Sequence, residues 1–308
     1  MKVSDISHVS YFCPDLDVME RFMTDFGLIK TLRTADSLYM RGAGPAAYCY
    51  VAHRAANAGF AGVSLRAASA AEFAAAAKIP GASAPRALSG PGGGMSILLQ
   101  DPDGLPVEVV HGIADVAPLA IRAPLDLNYA EQKNRRGATQ RIAKGPAQVQ
   151  RLGHALFFAT DFQRTIDWYC THFGLLPSDY IHEGSEEQKL GAFLRCDRGP
   201  QWTDHHSVGV FKAPKAKIHH ASFEIQDFDA QVLGHEWLQG KGYRHVWGIG
   251  RHLLGSQIFD YWYDPCGHIV EHFADGDLFT SSKPAQSFHA GPDSLFQWGP
   301  PVPEIFFA

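Results

Sequence analysis

The chain carries one pattern of landmarks twice and changes it at a single position. That duplication limits the available folds more than any other feature. Residues 6–28 read Ile-Ser-His8-Val-Ser-Tyr-Phe, then the acidic turn Pro14-Asp15-Leu16-Asp17, a helix-like stretch, and Phe26-Gly27-Leu28. Residues 152–175 read Leu-Gly-His154-Ala-Leu-Phe-Phe, then Thr160-Asp161, a similar stretch, and Phe173-Gly174-Leu175. Each copy closes alike, with Asp101-Pro102-Asp103-Gly104 before Glu108 and with Asp264-Pro265-Cys266-Gly267 before Glu271. Between these landmarks the second copy has Ile218-His219-His220-Ala221-Ser222, where the first has Phe60-Ala61-Gly62-Val63-Ser64. The second copy thus holds His154, His220 and Glu271, whereas the first holds His8 and Glu108 with Gly62 in the middle place. Two histidines and a carboxylate make a metal-binding face, and one copy alone is complete.

The landmarks divide the 308 residues into a first copy over 1–115, a connector over 116–150, a second copy over 151–275 and a tail over 276–308. The Ala-rich stretch 68–78 reads as a helix. Ser89-Gly-Pro-Gly-Gly-Gly94 reads as a turn and not as a phosphate loop, because no Lys-Ser/Thr follows the glycines. Alternation over Ile218–Ile225 marks a strand, with Ile218, His220, Ser222 and Glu224 on one face and His219 on the other. Leu152–Phe158 and Ile269–Phe273 read as strands as well. Glu271 lies between apolar neighbours, where a carboxylate needs a partner, and a metal ion is one such partner. His272, like His219, falls on the strand face away from the ligands and reads as structural. Three ligands from three strands leave positions open for chemistry, whereas a structural zinc site fills all four with protein groups. A net charge of −5 argues against general nucleic-acid binding, and no apolar run approaches the roughly 18 residues of a membrane span. Five cysteines, odd in number and without zinc-type spacing, read as buried thiols in a reducing cytoplasm.

Further motifs make the resemblance specific. Gly250-Arg251-His252, then Tyr261, Asp264-Pro265-Cys266-Gly267 and Glu271 follow a signature that departs only at Asp260, where an apolar residue is usual. A His-His pair precedes a strand in His205-His206-Ser-Val-Gly-Val-Phe. The chain resembles a type I extradiol ring-cleavage dioxygenase of the vicinal oxygen chelate superfamily over nearly its whole length. The resemblance implies an α+β fold of two tandem domains, each of paired βαβββ modules forming a U-shaped sheet around a cavity. It implies that His154, His220 and Glu271 ligate Fe(II), with Mn(II) also suited to the set. It makes His206 the acid/base group, with adjacent His205 the alternative, and has His252 and Tyr261 orient substrate oxygens. The implied substrates are a catechol and dioxygen, and the expected setting is a cytoplasmic homo-oligomer.

His8 and Glu108 read as relics of duplication, without a second metal. Leu156, Phe193 and Ile258 are candidate pocket walls, and Arg195 or Arg251 is a candidate partner for a ring carboxylate. The stretch Gly199–Asp204 before the His-His pair is long enough to reshape that wall. The competing functions are a glyoxalase-type isomerase, which needs a second carboxylate ligand, and a binding module of the bleomycin-resistance type, which lacks the triad.

Overall fold

A computed structural model describes residues 1–291 and 294–307. The first sheet contains β1 (Val3–Cys13), β2 (Ile29–Arg33), β3 (Ser37–Arg41), β4 (Tyr50–Arg54), β5 (Gly59–Ala67), β6 (Arg86–Ala87), β7 (Met95–Gln100) and β8 (Pro106–His111), in the order β2-β3-β4-β1-β5-β8-β7-β6. The second contains β9 (Val149–Ala159), β10 (Leu175–His182), β11 (Lys189–Cys196), β13 (Val208–Lys212), β14 (Lys217–Ile225), β15 (His245–His252), β16 (Ile258–Tyr263) and β17 (Ile269–Ala274), with tail strands β19 (Gln286–His289) and β20 (Phe296–Trp298) at its edges. Its order, β19-β10-β11-β13-β9-β14-β17-β16-β15-β20, repeats the first sheet's path. The short strands β12 (Thr203–Asp204) and β18 (Leu278–Phe279) pair with each other and fasten the loop before the His-His pair to the tail. Helices α1 (Leu16–Asp25), α2 (Ala70–Ala76), α3 (Phe162–Phe173) and α4 (Phe228–Gly240) complete the α+β architecture.

The repeated landmarks fold the same way in both copies. Asp15 caps α1 by accepting from the backbone N–H of Asp17 and Val18, and Asp161 caps α3 by accepting from that of Arg164. In the closing turns Asp101 Oδ1 accepts from the N–H of Asp103 and Leu105, and Asp264 Oδ1 from that of Cys266 and His268. Gly104 and Gly267 follow with the same φ of 85°, a left-handed conformation that glycine adopts at little cost. The turns aim β8 and β17 along β5 and β14, so that Ser64 pairs with Glu108 and Ser222 with Glu271.

One hydrophobic core runs through both copies and includes Val9, Phe22 and Leu65 from the first with Phe157, Tyr169 and Phe223 from the second. Polar contacts add to the join. His272 donates to the carbonyl of Phe26 and stacks on its ring, while Trp237 and Tyr243 donate to Asp25. Residues 116–148 form no strand or helix, apart from one isolated bridge between Asn128 and Lys133. Cys13, Cys49 and Cys196 are buried as expected, but Cys170 and Cys266 are only half-buried, and all five are free thiols. No helix among the described residues is long and apolar enough to cross a membrane.

Neither Gly104 nor Gly267 has any atom within reach of an added β-carbon, so an Ala substitution there tests backbone conformation alone. Each of Gly104→Ala and Gly267→Ala should destabilise the protein by about 1 kcal/mol, and by similar amounts, in urea unfolding. A neutral result at either turn would contradict this account.

Candidate active site

Three neighbouring strands bring the predicted ligands together. His154 lies on β9, His220 on β14 and Glu271 on β17, and all three are buried. Glu271 Oε2 lies 3.2 Å from His154 Nε2 and 3.3 Å from His220 Nε2, and the two nitrogens are 3.3 Å apart. Burial lowers His154 against the pull of Glu271.

Hydrogen-bonding partners fix where the protons lie. The carbonyl of Phe306 can only accept, so His219 Nε2, 2.5 Å away, carries the proton. His219 Nδ1 is then an acceptor, and His220 Nδ1, 2.7 Å away, donates to it. His220 Nε2 is left as a lone pair facing a carboxylate. Neither oxygen of Glu271 receives a hydrogen bond, although the residue is fully buried. The His220 lone pair and the Glu271 carboxylate converge in a dry site beside His154 Nε2, a donor set that fits a metal ion.

A second relay has the same form. Asp179 Oδ2 accepts from His205 Nε2 at 2.7 Å, and His205 Nδ1 accepts from His206 Nδ1 at 2.9 Å. His206 therefore turns Nε2 away from that relay as a lone pair. Burial, followed by the neighbouring histidines, pushes its pKa well below the ordinary value. His206 lines the cavity, its ring 4.1 Å from that of His154, while His205 stands behind it. On the opposite wall His252 Nδ1 donates to the carbonyl of Leu295, so its Nε2 accepts from the Tyr261 hydroxyl at 2.8 Å. Burial brings His252 down to about 4 and pushes Tyr261 well above its ordinary value, leaving the imidazole neutral and the phenol protonated.

The cavity between these groups has about 60 Å³ of water-accessible space. Leu156, Phe158, Phe193, Trp247, Leu254 and Phe306 supply much of its apolar wall. Leu156 and Phe193 are where the sequence suggests, but Ile258 is not among the lining residues. No Arg or Lys lines it among the described residues. Arg195 is instead bound to the carbonyls of Pro177 and Lys283, and Arg251 to Ser256 and Asp275.

One expectation from strand alternation fails. His219 lines the same cavity as His220 and does not sit on the opposite face. Ile218 pairs with Phe157 and His220 with Leu156, so His219 is the extra residue of a β-bulge, and two successive side chains reach the cavity. The first copy has the same irregularity, because Phe60 pairs with Tyr11 and Gly62 with Ser10, leaving Ala61 over. Gly62 therefore occupies the place of His220. The Ser64 hydroxyl bridges His8 Nε2 at 2.9 Å and Glu108 Oε2 at 2.7 Å, whereas its counterpart Ser222 has no partner. The serine satisfies the His and Glu of the first copy without a third ligand.

His235, His245 and Asp260 form the other grouping of metal-ligand types, on a different part of the second copy. Its atoms are already matched. Asp260 is fully buried and accepts from His235 at 3.0 Å, His245 at 2.8 Å and Trp262 at 2.7 Å. This cluster accounts for the carboxylate at a position where the signature has an apolar residue.

A curved sheet around a two-histidine, one-carboxylate face defines a vicinal oxygen chelate metalloenzyme. The model of the Glyoxalase/Bleomycin resistance protein/Dioxygenase superfamily matches residues 151–272. The chain is 32% identical over 319 residues to metapyrocatechase 2 of Cupriavidus necator, covering 99% of this chain and 91% of that protein. Its fold is similar to that of homoprotocatechuate 2,3-dioxygenase from Brevibacterium fuscum, with a TM-score of 0.81, 16% identity and coverage of 99% and 92%. It is equally similar to the Mn(II)-bound glyoxalase of Novosphingobium aromaticivorans, with a TM-score of 0.81, 22% identity and coverage of 99% and 94%. At such identities these two structures speak to fold alone. The metapyrocatechase relative shows that the chain belongs to the type I extradiol dioxygenases, metal-dependent enzymes that cleave catechol rings outside the two hydroxyl-bearing carbons.

The Asp260 cluster yields a pH test. Hydrogen bonding to Asp260 raises the pKa of His235, and the two histidines lower that of Asp260 against the effect of burial. The raised histidine contributes stability that is complete below 6.5 and lost as pH rises through its folded pKa. The lowered carboxyl contributes stability that is complete above 3.8 and lost as pH falls through its own. Asp260→Asn should therefore cost roughly 1–3 kcal/mol between those two values, and less at pH about 9. Urea unfolding across that range measures it, and a penalty that does not shrink at high pH would contradict the pairing.

Proposed function

We propose that the chain cleaves an uncharged, apolar-substituted catechol at ferrous iron held by His154, His220 and Glu271. The observation that carries this reading is the convergence of three metal-facing donor atoms beside a cavity whose lining has no Lys or Arg. In this reading residues 151–275 are the catalytic domain, residues 1–115 its metal-free counterpart, and 116–150 and 276–308 the connector and tail. Mn(II) suits the same nitrogen and oxygen donors and is the second candidate. The bound ion would supply the site at which both catechol oxygens and dioxygen meet and through which ring electrons reach oxygen.

The chain's own groups have separable tasks. His206 Nε2 is placed to take a proton from a catechol hydroxyl and to return it later. The Asp179–His205 relay keeps the opposite ring nitrogen protonated, so the basic nitrogen is the one toward the cavity. His252 and the Tyr261 hydroxyl form a neutral pair that orients substrate oxygen. The ring of the substrate lies among Leu156, Phe193, Trp247 and Phe306, and the tail side chains exclude water from it. A carboxylate on that ring would meet no cation, at a cost of several kcal/mol. The free thiols support a reducing cytoplasmic setting.

Two measurements test this. The kcat/KM for an alkylcatechol should exceed that for 3,4-dihydroxyphenylacetate by at least about 10²-fold, since an unpaired buried charge is so costly. Equal values would remove the apolar-substrate reading. His206→Ala should keep its full complement of iron and turn over on the order of 10²-fold more slowly, the usual scale for losing a general acid–base group. Near-normal turnover in that variant, with His205→Ala inactive, would transfer the role to His205.

A further inference from the structure

His220 does not determine its own tautomer. The determining group is a backbone carbonyl 86 residues further along, in the one-turn helix Glu304–Phe306 of the tail. Phe306 O accepts from His219 Nε2, and His219 Nδ1 accepts from His220 Nδ1. Each step permits one arrangement of protons, and the last leaves a lone pair on His220 Nε2, 3.3 Å from Glu271. His219 and Phe306 are both buried, and the carbonyl is the partner that the fold gives His219 Nε2. Their rings meet edge-on with centroids 4.6 Å apart, which packs the tail against the relay.

We infer that His219 is a positioning residue that holds His220 in its metal-binding tautomer, and that seating of residues 304–307 and metal binding strengthen one another through it. The inference rests on the reading of His154, His220 and Glu271 as the metal site. Without the His219 acceptor, the proton of His220 Nδ1 has no partner and the ring is free to exchange tautomers or turn. A group behind a metal-bound histidine typically governs affinity by roughly 10–100-fold. Linkage makes the effect reciprocal: if the docked tail favours the ion, the ion favours the docked tail by the same factor.

The test measures metal affinity anaerobically in the full-length protein by Fe(II) titration against a chelator, alongside amide exchange of residues 304–307. His219→Phe keeps a ring of similar size but removes the acceptor, and should weaken Fe(II) binding by roughly 10–100-fold. His219→Gln restores an acceptor for His220 and a donor for Phe306, and should recover most of that loss. Ending the chain at residue 303 should weaken binding in the parent. In the His219→Phe background it should add less than it does alone, because the relay is already broken. Iron should slow exchange at 306 and 307 in the parent and do so less in His219→Phe. Parent-like affinity in His219→Phe, or independent losses from the two changes, overturns the relay. His220→Ala separates this failure from the deeper one. If that variant retains iron at parental affinity, the ligand assignment itself is wrong. If it loses iron while His219→Phe keeps it, only the relay is wrong.

Discussion

The site depends on a buried carboxylate that receives no hydrogen bond. Glu271 is fully buried on a central strand, and His220 approaches it with a lone pair because its proton is directed to His219. An isolated charge in that position is prohibitive. The fold tolerates it by making the surroundings rigid. Glu271 sits between β14 and β16, and the strand carrying it leaves the Asp-Pro-Cys-Gly turn in a fixed register. In the proposed reading an ion supplies the missing charge, and His154, His220 and Glu271 supply its donors.

The duplicated half shows what happens when that constraint is relaxed. It preserves the strand order, the bulge and the turn, together with His8 and Glu108. It lacks one imidazole, and a serine hydroxyl found in both copies becomes the bridge. Ser64 joins His8 to Glu108, and the carboxyl is held at about 2 by His8 and Ser64 against the opposing effect of burial. Ser222 stands in the equivalent place without a partner because His154 and Glu271 point toward His220 instead. The difference between the hydrogen-bonded first copy and the proposed metal centre comes down to whether residue 62 or its counterpart offers a side chain.

Much of this was legible in the sequence because a duplication supplies its own alignment. His8 and His154, Glu108 and Glu271, the closing turns and the caps at Asp15 and Asp161 occupy matched places in the two copies. What escaped was non-local or non-periodic. Alternation assigns His219 to the wrong face because a bulge adds one residue and resets the phase. The doublet His219-His220 was the available signal, since adjacent histidines in a regular strand should not share a cavity. Asp260 could not be paired with His235 and His245 in advance, because the three come from a helix and two strands. Backbone carbonyls at Leu295 and Phe306 have no sequence signature at all.

The two histidine doublets solve one problem with different terminators. A neutral imidazole has one proton for two nitrogens, and a metal ligand or a catalytic base is useful only if the proton is on the far side. Beside His206 the terminator is Asp179, which can stabilise positive charge spreading along the relay as His206 takes up a proton. Beside His220 it is a neutral carbonyl, which fixes the tautomer and offers no charge to compete with Glu271. A carboxylate at that second position would raise the basicity of the ligand, a change that the neutral carbonyl does not make. The terminators match the roles proposed for the two residues: a charged one behind the group that would change its protonation, and a neutral one behind the group that would not.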